Sequence, residues 1–420
     1  MKYDVIIIGA GAAGLAAMKT LLDQGYRVCI LEASSRAGGR IATINENGFD
    51  QPVETGAEFI HGKLPLTFKI LRSAGIGHET IEGNMIGVQD GKRKKDEHNP
   101  HWDEFMSKLN RLKNDVTILE FLTANFSDDK YKHLRKDVQQ FAEGFNLADI
   151  SEASMLSVKE EWKGIEKKQY RVKGGYAQLI DHLLDQCFQK NGLIYYNSFV
   201  CRIEHGKKIT VHTNDKRKFE AGKVIITASI GVLQSGAIQF EPALAEHAIA
   251  IQGLGFGAVI KFLFQFKTSF WNKYEDDIGF ILSNEEIPTW WTQLPSKSKL
   301  LTGWLGGPKA LEKVFEKEED LLQSALQSLS SIFHLSPSRI KAQLDNYKII
   351  NWQNDPFVKG GYSFNTLATE KAKKVLNKPV NDSIYFAGEA VSKGESQGTV
   401  ESALQSGIDT AAAIIKRDKK

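Results

Sequence analysis

Residues 5–14 read VIIIGAGAAG, and this stretch decides the fold. Val5 to Ile8 form a continuous β-branched run, which is typical of a strand buried on both faces of a sheet. A glycine turn follows, after which the sequence predicts a helix from Leu15 to Gln24 and a second strand from Arg27 to Leu31. A strand, a helix and a second strand within about thirty residues form the smallest supersecondary unit that binds nucleotides.

The glycine turn has the spacing GxGxxG, with glycines at positions 9, 11 and 14. Gly9 permits the tight turn, Gly11 lets the backbone approach a pyrophosphate, and Gly14 allows close packing of the helix on the strand. The N-terminus of the helix offers free N–H groups and the positive end of the helix dipole to the phosphates. Glu32 ends the second strand, where a carboxylate accepts hydrogen bonds from ribose hydroxyls. GxGxxG alone also fits a purely structural turn, but together these features predict a dinucleotide site.

The segment after the second strand contains a further glycine pair. Residues 32–40 read EASSRAGGR, so Gly38-Gly39 is flanked by Arg36 and Arg40. These residues would place more N–H donors and two cations beside one pyrophosphate, although the arginines also fit ordinary surface charge. The double-glycine arrangement resembles the flavoenzyme superfamily of amine oxidases, carotenoid-type desaturases and protoporphyrinogen oxidases.

Four later segments resemble, more narrowly, the flavin-containing amine oxidases of the monoamine and polyamine oxidase type. They are GAEFIHG at 56–62, GAVIK at 257–261, WQNDPFVKGGYSF at 352–364, and YFAGEA with GTVESA between 385 and 403. The matches run in family order from residue 3 to about residue 415, and the stretch from about 85 to 165 matches least specifically. The resemblance implies an α/β fold in which a Rossmann-like FAD-binding domain is interleaved with an α+β substrate-binding domain.

Nucleotide-type elements occur at both ends and in the middle of the chain, which also predicts two interleaved domains. The predicted FAD-binding domain comprises residues 1–84, 168–228 and 378–420. The predicted substrate-binding domain comprises 85–167 and 229–377 and includes a helical insertion. Within the insertion, apolar residues between Trp102 and Phe126 predict one helical stripe. The charge run from Asp90 to Glu97 predicts a solvated loop, and alternation predicts a strand around Ile194 to Val200.

The resemblance implies that FAD is bound without a covalent link, because Gly361 stands where animal monoamine oxidases carry a flavin-linking cysteine. It implies that Glu32 holds the adenosine ribose and that the backbone of Val200 pairs with adenine. The helix that begins near Thr399 would point its N-terminus at the flavin pyrimidine, although ordinary docking of a C-terminal helix is the alternative. The complete set of implied FAD contacts is Gly9, Gly11, Ala13, Gly14, Glu32, Ala33, Arg36, Gly38, Gly39, Arg40, Gly56, Ala57, Glu58, Val200, Gly388, Glu389, Thr399 and Val400.

Five residues are candidates for the catalytic site: Lys261, Tyr362, Trp352, Thr399 and His61. From its pattern alone, Lys261 is best interpreted as a solvated lysine on a half-buried strand, whereas the resemblance implies a lysine that holds a water against flavin N5. Tyr362 would form one wall of an amine cage, with Trp352 near the ring edge. Thr399 would stand opposite, where animal monoamine oxidases have a second tyrosine, which implies a more open site like that of the polyamine oxidase and histone demethylase branches. His61 would line the substrate entrance or be structural.

The resemblance therefore implies oxidation of an amine C–N bond by hydride transfer to flavin, with dioxygen reduced to hydrogen peroxide and the imine hydrolysed. Glu58 and Glu161 are candidate acidic groups for a polyamine chain. The alternatives are an L-amino acid oxidase, for which Arg171 is an unplaced cation, a desaturase-like flavoenzyme, and a non-catalytic FAD-binding scaffold. The amine and the oligomeric state stay open.

The composition excludes some classes of partner. Lys and Arg number 54 against 51 Asp and Glu, and this near balance gives no reason to expect nucleic acid as a partner. Cys29, Cys187 and Cys201 have no CxxC spacing and fit a reducing, cytoplasmic compartment. The apolar start lacks a basic n-region, and no run of about 20 apolar residues occurs, so we expect no signal peptide and no membrane segment. No cluster has metal-ligand spacing.

Overall fold

The computed structural model describes residues 2–94, 99–162, 168–394 and 397–419. Its α-helices are α1 Ala12–Leu22, α2 Pro65–Ser73, α3 Trp102–Arg111, α4 Ile118–Asn125, α5 Lys132–Phe145, α6 Met155–Trp162, α7 Ala177–Phe188, α8 Ile230–Gln234, α9 Ala245–Gln252, α10 Pro308–Glu312, α11 Glu318–Phe333, α12 Pro337–Gln343, α13 Thr369–Leu376 and α14 Val400–Asp418. Its strands are β1 Lys2–Ile8, β2 Val28–Leu31, β3 Thr43–Ile44, β4 Val53–Glu54, β5 Phe59–His61, β6 His78–Thr80, β7 Asn84–Gln89, β8 Lys92–Lys94, β9 Gln169–Val172, β10 Leu193–Tyr195, β11 Val200–Glu204, β12 Ile209–Thr213, β13 Lys218–Ile226, β14 Gln239–Glu241, β15 Gly255–Phe256, β16 Val259–Phe266, β17 Ile278–Ser283, β18 Thr289–Trp291, β19 Leu300–Gly306, β20 Leu344–Asn351, β21 Ser363–Phe364 and β22 Ile384–Phe386.

An eight-stranded sheet contains the βαβ unit at the start of the chain. Its order is β10-β2-β1-β13-β12-β11-β14, and β22 also pairs with β13. β10, β2, β1, β13 and β22 run parallel, whereas β12 pairs antiparallel with both β11 and β13. The β-branched run of β1 is buried on both faces, as predicted for a central parallel strand. The helix begins at Ala12, earlier than predicted, because Gly11 is already its N-cap.

Two glycines allow close approaches around α1. A Cβ at Gly14 would lie 2.0 Å from the carbonyl oxygen of Gly9, so the helix can leave the strand directly only with glycine at this position. A Cβ at Gly407, in α14, would lie 2.1 Å from the carbonyl oxygen of Ala13. The first turn of α1 is therefore held between β1 and α14.

A seven-stranded sheet, in the order β20-β16-β19-β18-β17-β7-β8, provides the second framework. Every residue of β16 is buried. Ile260, Phe262 and Phe264 pack with α11 in one core cluster, and Val259 and Leu263 are also covered on the opposite face. The interpretation of Lys261 as a solvated lysine is therefore wrong, because its side chain is 1% exposed.

The single helical stripe predicted over 102–126 is wrong. α3 ends where the chain becomes extended at Leu112, and α4 begins anew after Thr117. Thr117 and Glu120 form a capping box, in which each side chain accepts a hydrogen bond from the other's backbone N–H. The new start rotates the second segment, so Leu119 is 44% exposed instead of joining the apolar stripe.

Two shorter predictions also need correction. The charge run from Asp90 to Glu97 is only partly a loop, because Lys92–Lys94 forms the exposed edge strand β8; residues 95–98 lie outside the described residues. The strand predicted around 194–200 is two strands, since β10 ends at Tyr195 and β11 begins at Val200. The predicted domain limits stay a prediction.

Within the described ranges, every helix is too short or too polar to cross a lipid bilayer.

Candidate active site

A cavity of 2370 Å³ is lined by residues of both large sheets. Pockets for drug-sized ligands measure roughly 300–1,000 Å³, so this cavity has room for a dinucleotide and a second ligand. Of the predicted catalytic and FAD-binding residues, Gly14 alone does not line this cavity. The predicted residues that line it are Gly9, Gly11, Ala13, Glu32, Ala33, Arg36, Gly38, Gly39, Arg40, Gly56, Ala57, Glu58, His61, Val200, Lys261, Trp352, Tyr362, Gly388, Glu389, Thr399 and Val400.

Glu32 lies at the end of the cavity that the βαβ unit forms. Its side chain is buried, and its two oxygens accept hydrogen bonds from the backbone N–H of Ala10 at 2.6 Å and of Ser34 at 2.8 Å. These bonds fix the carboxylate at the end of β2, where it can still accept from ribose hydroxyls. Val200 lines the same end from the start of β11.

The two glycine motifs meet beside the N-terminus of α1. Gly11 and Gly38 form a β-bridge, and the N–H of Gly38 donates to the carbonyl of Ala10 at 2.9 Å. The guanidinium of Arg36 donates to the carbonyl of Ile41 at 3.0 Å and to that of Gly39 at 2.8 Å. Arg36 therefore braces the second glycine turn in addition to lining the cavity.

Arg40 and Glu389 form an ion pair farther along the cavity. The Arg40 Nη1 donates to Glu389 Oε1 and to the carbonyl of Gly361, both at 2.8 Å. The hydroxyl of Ser363 donates to the other oxygen of Glu389 at 2.5 Å. The next residue in the wall, Gly388, has open space where a side chain would stand. Helix N-termini, glycine turns and a fixed cation are the groups that hold a pyrophosphate, so these residues fit FAD.

The other end of the cavity contains a buried cluster of charges. The ammonium of Lys261 donates to Glu58 Oε2 at 2.7 Å and to the carbonyl of Gly56 at 3.3 Å. Glu58 Oε1 accepts from the Nε of Arg171 at 2.9 Å and from the Nε1 of Trp291 at 3.0 Å. Burial alone would raise the pKa of Glu58, but the two cations outweigh it and hold this pKa at about 2.

Aromatic side chains form the wall next to Lys261. The rings of Tyr362 and Trp304 stack with centroids 6.4 Å apart, and the hydroxyl of Tyr362 donates to the carbonyl of Phe145. Trp352 donates from its Nε1 to the carbonyl of Thr55 at 2.8 Å, so its ring is fixed beside the Gly56 turn.

Thr399 is the N-cap of α14, and its hydroxyl accepts from the backbone N–H of Ser402 at 3.2 Å. A side chain at the preceding residue, Gly398, would come within 3.4 Å of the Tyr362 ring. The start of α14 therefore lies next to Tyr362 on the cavity wall, where a small residue leaves space.

His61 lines the cavity between two aromatic rings, with centroids 6.1 Å from Phe59 and 5.6 Å from Phe145. Burial lowers the pKa of His61 to about 4, so the imidazole is neutral near pH 7. It can donate or accept one hydrogen bond there without adding a positive charge.

Sequence reasoning missed the aromatic residues Trp291 and Trp304, and it left Arg171 without a place. The only sequence signal for the tryptophans was their position in apolar, alternating stretches that became β18 and β19. Arg171 lies on Glu58 and is not a free clamp for a carboxylate. Glu58 is likewise already engaged, so it does not offer a free acidic group to a polyamine; the side chain of Glu161 lies outside the described part of the chain.

Known proteins with similar structures have this architecture. Cyclohexylamine oxidase from Brevibacterium oxydans IH-35A matches with a TM-score of 0.83 and 24% identity over 100% of both chains. Putrescine oxidase bound to putrescine matches with a TM-score of 0.83 and 21% identity over 99% of this chain and 100% of that chain. These similarities confirm the predicted α/β fold class.

Similar sequences come from two groups of proteins. Lysine-specific histone demethylase 1 homolog 2 of Oryza sativa subsp. japonica is 28% identical over 99% of this chain. Probable polyamine oxidase 4 of Arabidopsis thaliana is 26% identical over 98% of this chain and 86% of that protein. The chain spans 57% of the rice demethylase and 30% of a demethylase homologue from Arabidopsis thaliana.

A family model matches almost the whole chain. The model of the flavin-containing amine oxidoreductases matches residues 12–415, which include the second glycine turn, β16 and the start of α14. The family resemblance seen in the sequence is thereby confirmed, and the chain belongs to the flavin-containing amine oxidoreductase family.

Proposed function

We propose that the protein is an FAD-dependent amine oxidase that cleaves a C–N bond of a primary or secondary amine. The observation that carries this proposal is the position of Lys261. Its ammonium is buried at the aromatic end of a cavity whose opposite end has the features of a dinucleotide site. One continuous cavity with these two ends supports a cofactor and a substrate meeting inside the protein.

FAD, when bound, would supply the acceptor for a hydride from the carbon that bears the nitrogen and a route for the two electrons to dioxygen, which would give hydrogen peroxide. The adenosine end would be held by Glu32 and Val200, and the pyrophosphate by the glycine turns and Arg40. Tyr362 and Trp304 would exclude water and orient the amine, since apolar walls favour its neutral form. Water then hydrolyses the imine to a carbonyl compound and a smaller amine or ammonia.

The charges near Lys261 support an amine with an apolar or aromatic group next to the reacting nitrogen. Lys261 and Arg171 carry two positive charges against the one carboxylate of Glu58. A second ammonium on a short diamine would be repelled there, because like charges in a desolvated site cost several kcal/mol.

The unpaired cysteines Cys29, Cys187 and Cys201 support a cytoplasmic location.

A panel of amines tests the proposal. Purified holoenzyme is mixed with aromatic and aliphatic monoamines, short diamines, polyamines and amino acids, and hydrogen peroxide is measured. We expect kcat/KM for apolar monoamines to exceed that for short diamines by about tenfold or more. Lys261→Met should slow turnover at least about tenfold, because it removes the buried cation.

Two results would contradict the proposal. Turnover of amino acids without turnover of amines would favour an amino acid oxidase. Failure of every amine to bleach the flavin absorbance under anaerobic conditions would favour a non-catalytic FAD-binding protein.

A further inference from the structure

The buried carboxylate of Glu58 accepts hydrogen bonds from three other side chains. Its side chain is 6% exposed, and its carboxylate accepts from Lys261, Arg171 and Trp291. The Lys261 side chain is 1% exposed and that of Arg171 is 9% exposed, so all three charges are removed from water. Burying them costs free energy, which the mutual ion pairs offset only while every partner is present.

The four groups come from separate parts of the fold. Glu58 directly follows the Gly56-Ala57 turn, whereas Lys261 lies on β16, Trp291 on β18 and Arg171 on β9. Lys261 also donates to the carbonyl of Gly56. The ion pair thus fixes the ammonium of Lys261, on the seven-stranded sheet, against the Gly56-Ala57 turn that lines the cavity.

Hydrogen-bond counting shows what Glu58 leaves available. An ammonium has three N–H donors, and Glu58 with the Gly56 carbonyl uses two of them. Among the described residues no protein group accepts from the third donor. That donor remains for a water or a flavin atom in the cavity, which Lys261 lines.

We propose that Glu58 is a positioning residue that holds the Lys261 ammonium in place on the cavity wall. Arg171 and Trp291 fix the carboxylate in turn. This inference rests on the proposed function, because the inference gives Lys261 a part in the reaction of reduced flavin with dioxygen. Glu54 is the other carboxylate whose charge acts on Lys261 and Glu58, and it makes no hydrogen bond to the ammonium.

The test measures how the oxygen reaction depends on pH. Holoenzyme reduced with dithionite is mixed with oxygenated buffer between about pH 6 and about pH 10, and return of the flavin absorbance gives the rate. Glu58→Gln retains the shape of the side chain but removes the negative charge that faces the ammonium at 2.7 Å. We expect the pH at which the rate falls to decrease by about one unit or more, which corresponds to about tenfold at the upper end of the range.

A double-mutant cycle separates positioning from general damage. In a Lys261→Met background, Glu58→Gln should change the rate less than about twofold, because its effect passes through the lysine. Asp50→Asn is the control, since it removes a hydrogen-bonded carboxylate that lies outside the cavity wall and does not contact Lys261. Its pH profile should equal that of the unmodified protein.

A wild-type pH profile in Glu58→Gln, or an equal slowing in both backgrounds, would overturn the proposal. If Glu58→Gln does not fold, Trp291→Phe provides the test, because it removes one hydrogen-bond donor to Glu58 and keeps an aromatic ring. Trp291→Phe should shift the pH profile of the oxygen reaction in the same direction as Glu58→Gln, by a smaller amount. No shift would overturn the proposal. Dithionite reduction needs no amine. A protein that oxidises no amine would therefore refute the proposed function without affecting this result.

Discussion

Two carboxylates lie near Lys261, and their surroundings shift their pKa values in opposite directions. Burial raises the pKa of Glu54 to about 7, although it accepts hydrogen bonds from the N–H of Tyr176 at 2.6 Å and the hydroxyl of Thr43 at 2.9 Å. Glu58 is buried more deeply, but Lys261 and Arg171 hold its pKa at about 2. The two residues differ in whether a cation contacts the carboxylate, and this decides which of them is charged near neutral pH.

Replacing Glu54 with glutamine should change how stability depends on pH. Because the folded state raises this pKa, it binds the proton more tightly than the unfolded state, and stability falls as pH rises from about 4.5 to about 7. Glu54→Gln has no such loss. We expect its melting temperature, relative to the wild-type holoenzyme, to rise by roughly 2–4 °C between about pH 5 and about pH 8.

Glu58→Gln is the matched control for Glu54→Gln. The folded state lowers the pKa of Glu58, so its contribution to stability is complete above about pH 4.5 and is lost as pH falls toward 2. Its offset in melting temperature from the wild type should therefore be the same at about pH 5 and about pH 8. An offset for Glu54→Gln that is equally constant would contradict the raised pKa of Glu54.

At the residue scale, the sequence could predict chemistry wherever a local pattern dictates it. Glu32 follows from its place at the end of the second strand, and the structure finds it hydrogen-bonded at the cavity. The pair of Glu58 and Lys261 could not be predicted, because 203 residues separate them and only the packing of two sheets brings them together. The same applies to Arg171, which carries no local signal for a buried position.

At the scale of elements, α14 lies next to both the βαβ unit and the aromatic wall of the cavity. Its N-terminus, capped by Thr399, lies beside Tyr362, while its middle packs on the first turn of α1 through Gly407. The side chain of Glu401, in its first turn, accepts hydrogen bonds from the backbone N–H groups of Leu66 and Thr67 at the start of α2. A displacement of α14 would therefore disturb both ends of the cavity together.

Gly407→Ala should displace α14 from α1. The new methyl group would lie 2.1 Å from the backbone carbonyl oxygen of Ala13, and backbone cannot rotate away as a side chain can. We expect a loss of about 1–3 kcal/mol in the free energy of unfolding and weaker retention of FAD during gel filtration, since the first turn of α1 lines the cofactor end.

Gly144→Ala is the control for this substitution. Gly144 is also helical, in α5, but a Cβ there would meet no atom within 4 Å. Alanine should stabilise this position by about 0.5–1 kcal/mol through its helix propensity. Equal melting temperatures and FAD contents for both variants would refute the importance of the contact between α1 and α14.

Element types were easier to predict than element limits. The β-branched run predicts β1, and glycine punctuation predicts α1 and α14; all three elements are present, although α1 begins at Ala12 and not at Leu15. The break between α3 and α4 was missed because the apolar spacing continues across it, while the capping box at Thr117 starts a new helix in a different direction. The start of a helix is set here by hydrogen bonds of its cap, which the apolar period does not reveal.

At the scale of the whole molecule, side chains that line the cavity connect segments that are distant in sequence. Lys261 reaches from β16 to the Gly56 turn, and Arg40 reaches from the second glycine turn to the carbonyl of Gly361. A ligand that fills the cavity contacts groups from both sheets, so its binding free energy adds to the stability of the whole fold.

The last prediction concerns the link between the protein and its cofactor. None of the three cysteines lines the cavity, all three being among the described residues, and Gly361 offers no side chain for a bond to flavin. We therefore expect FAD to be released completely into the supernatant when the holoenzyme is precipitated with acid. A precipitate that stays yellow after washing would contradict a noncovalent cofactor.

Removal of FAD under mild conditions should lower the melting temperature, and adding it back at about 100 times its Kd should restore about 2.7 kcal/mol of stability. FMN is the matched control, because it has the isoalloxazine ring but lacks the adenosine that Glu32 and Val200 would hold at the far end of the cavity. At the same concentration FMN should raise the melting temperature much less than FAD. Equal shifts for both would show that the cavity end formed by the βαβ unit contributes nothing to binding, against the hydrogen-bonded geometry of Glu32.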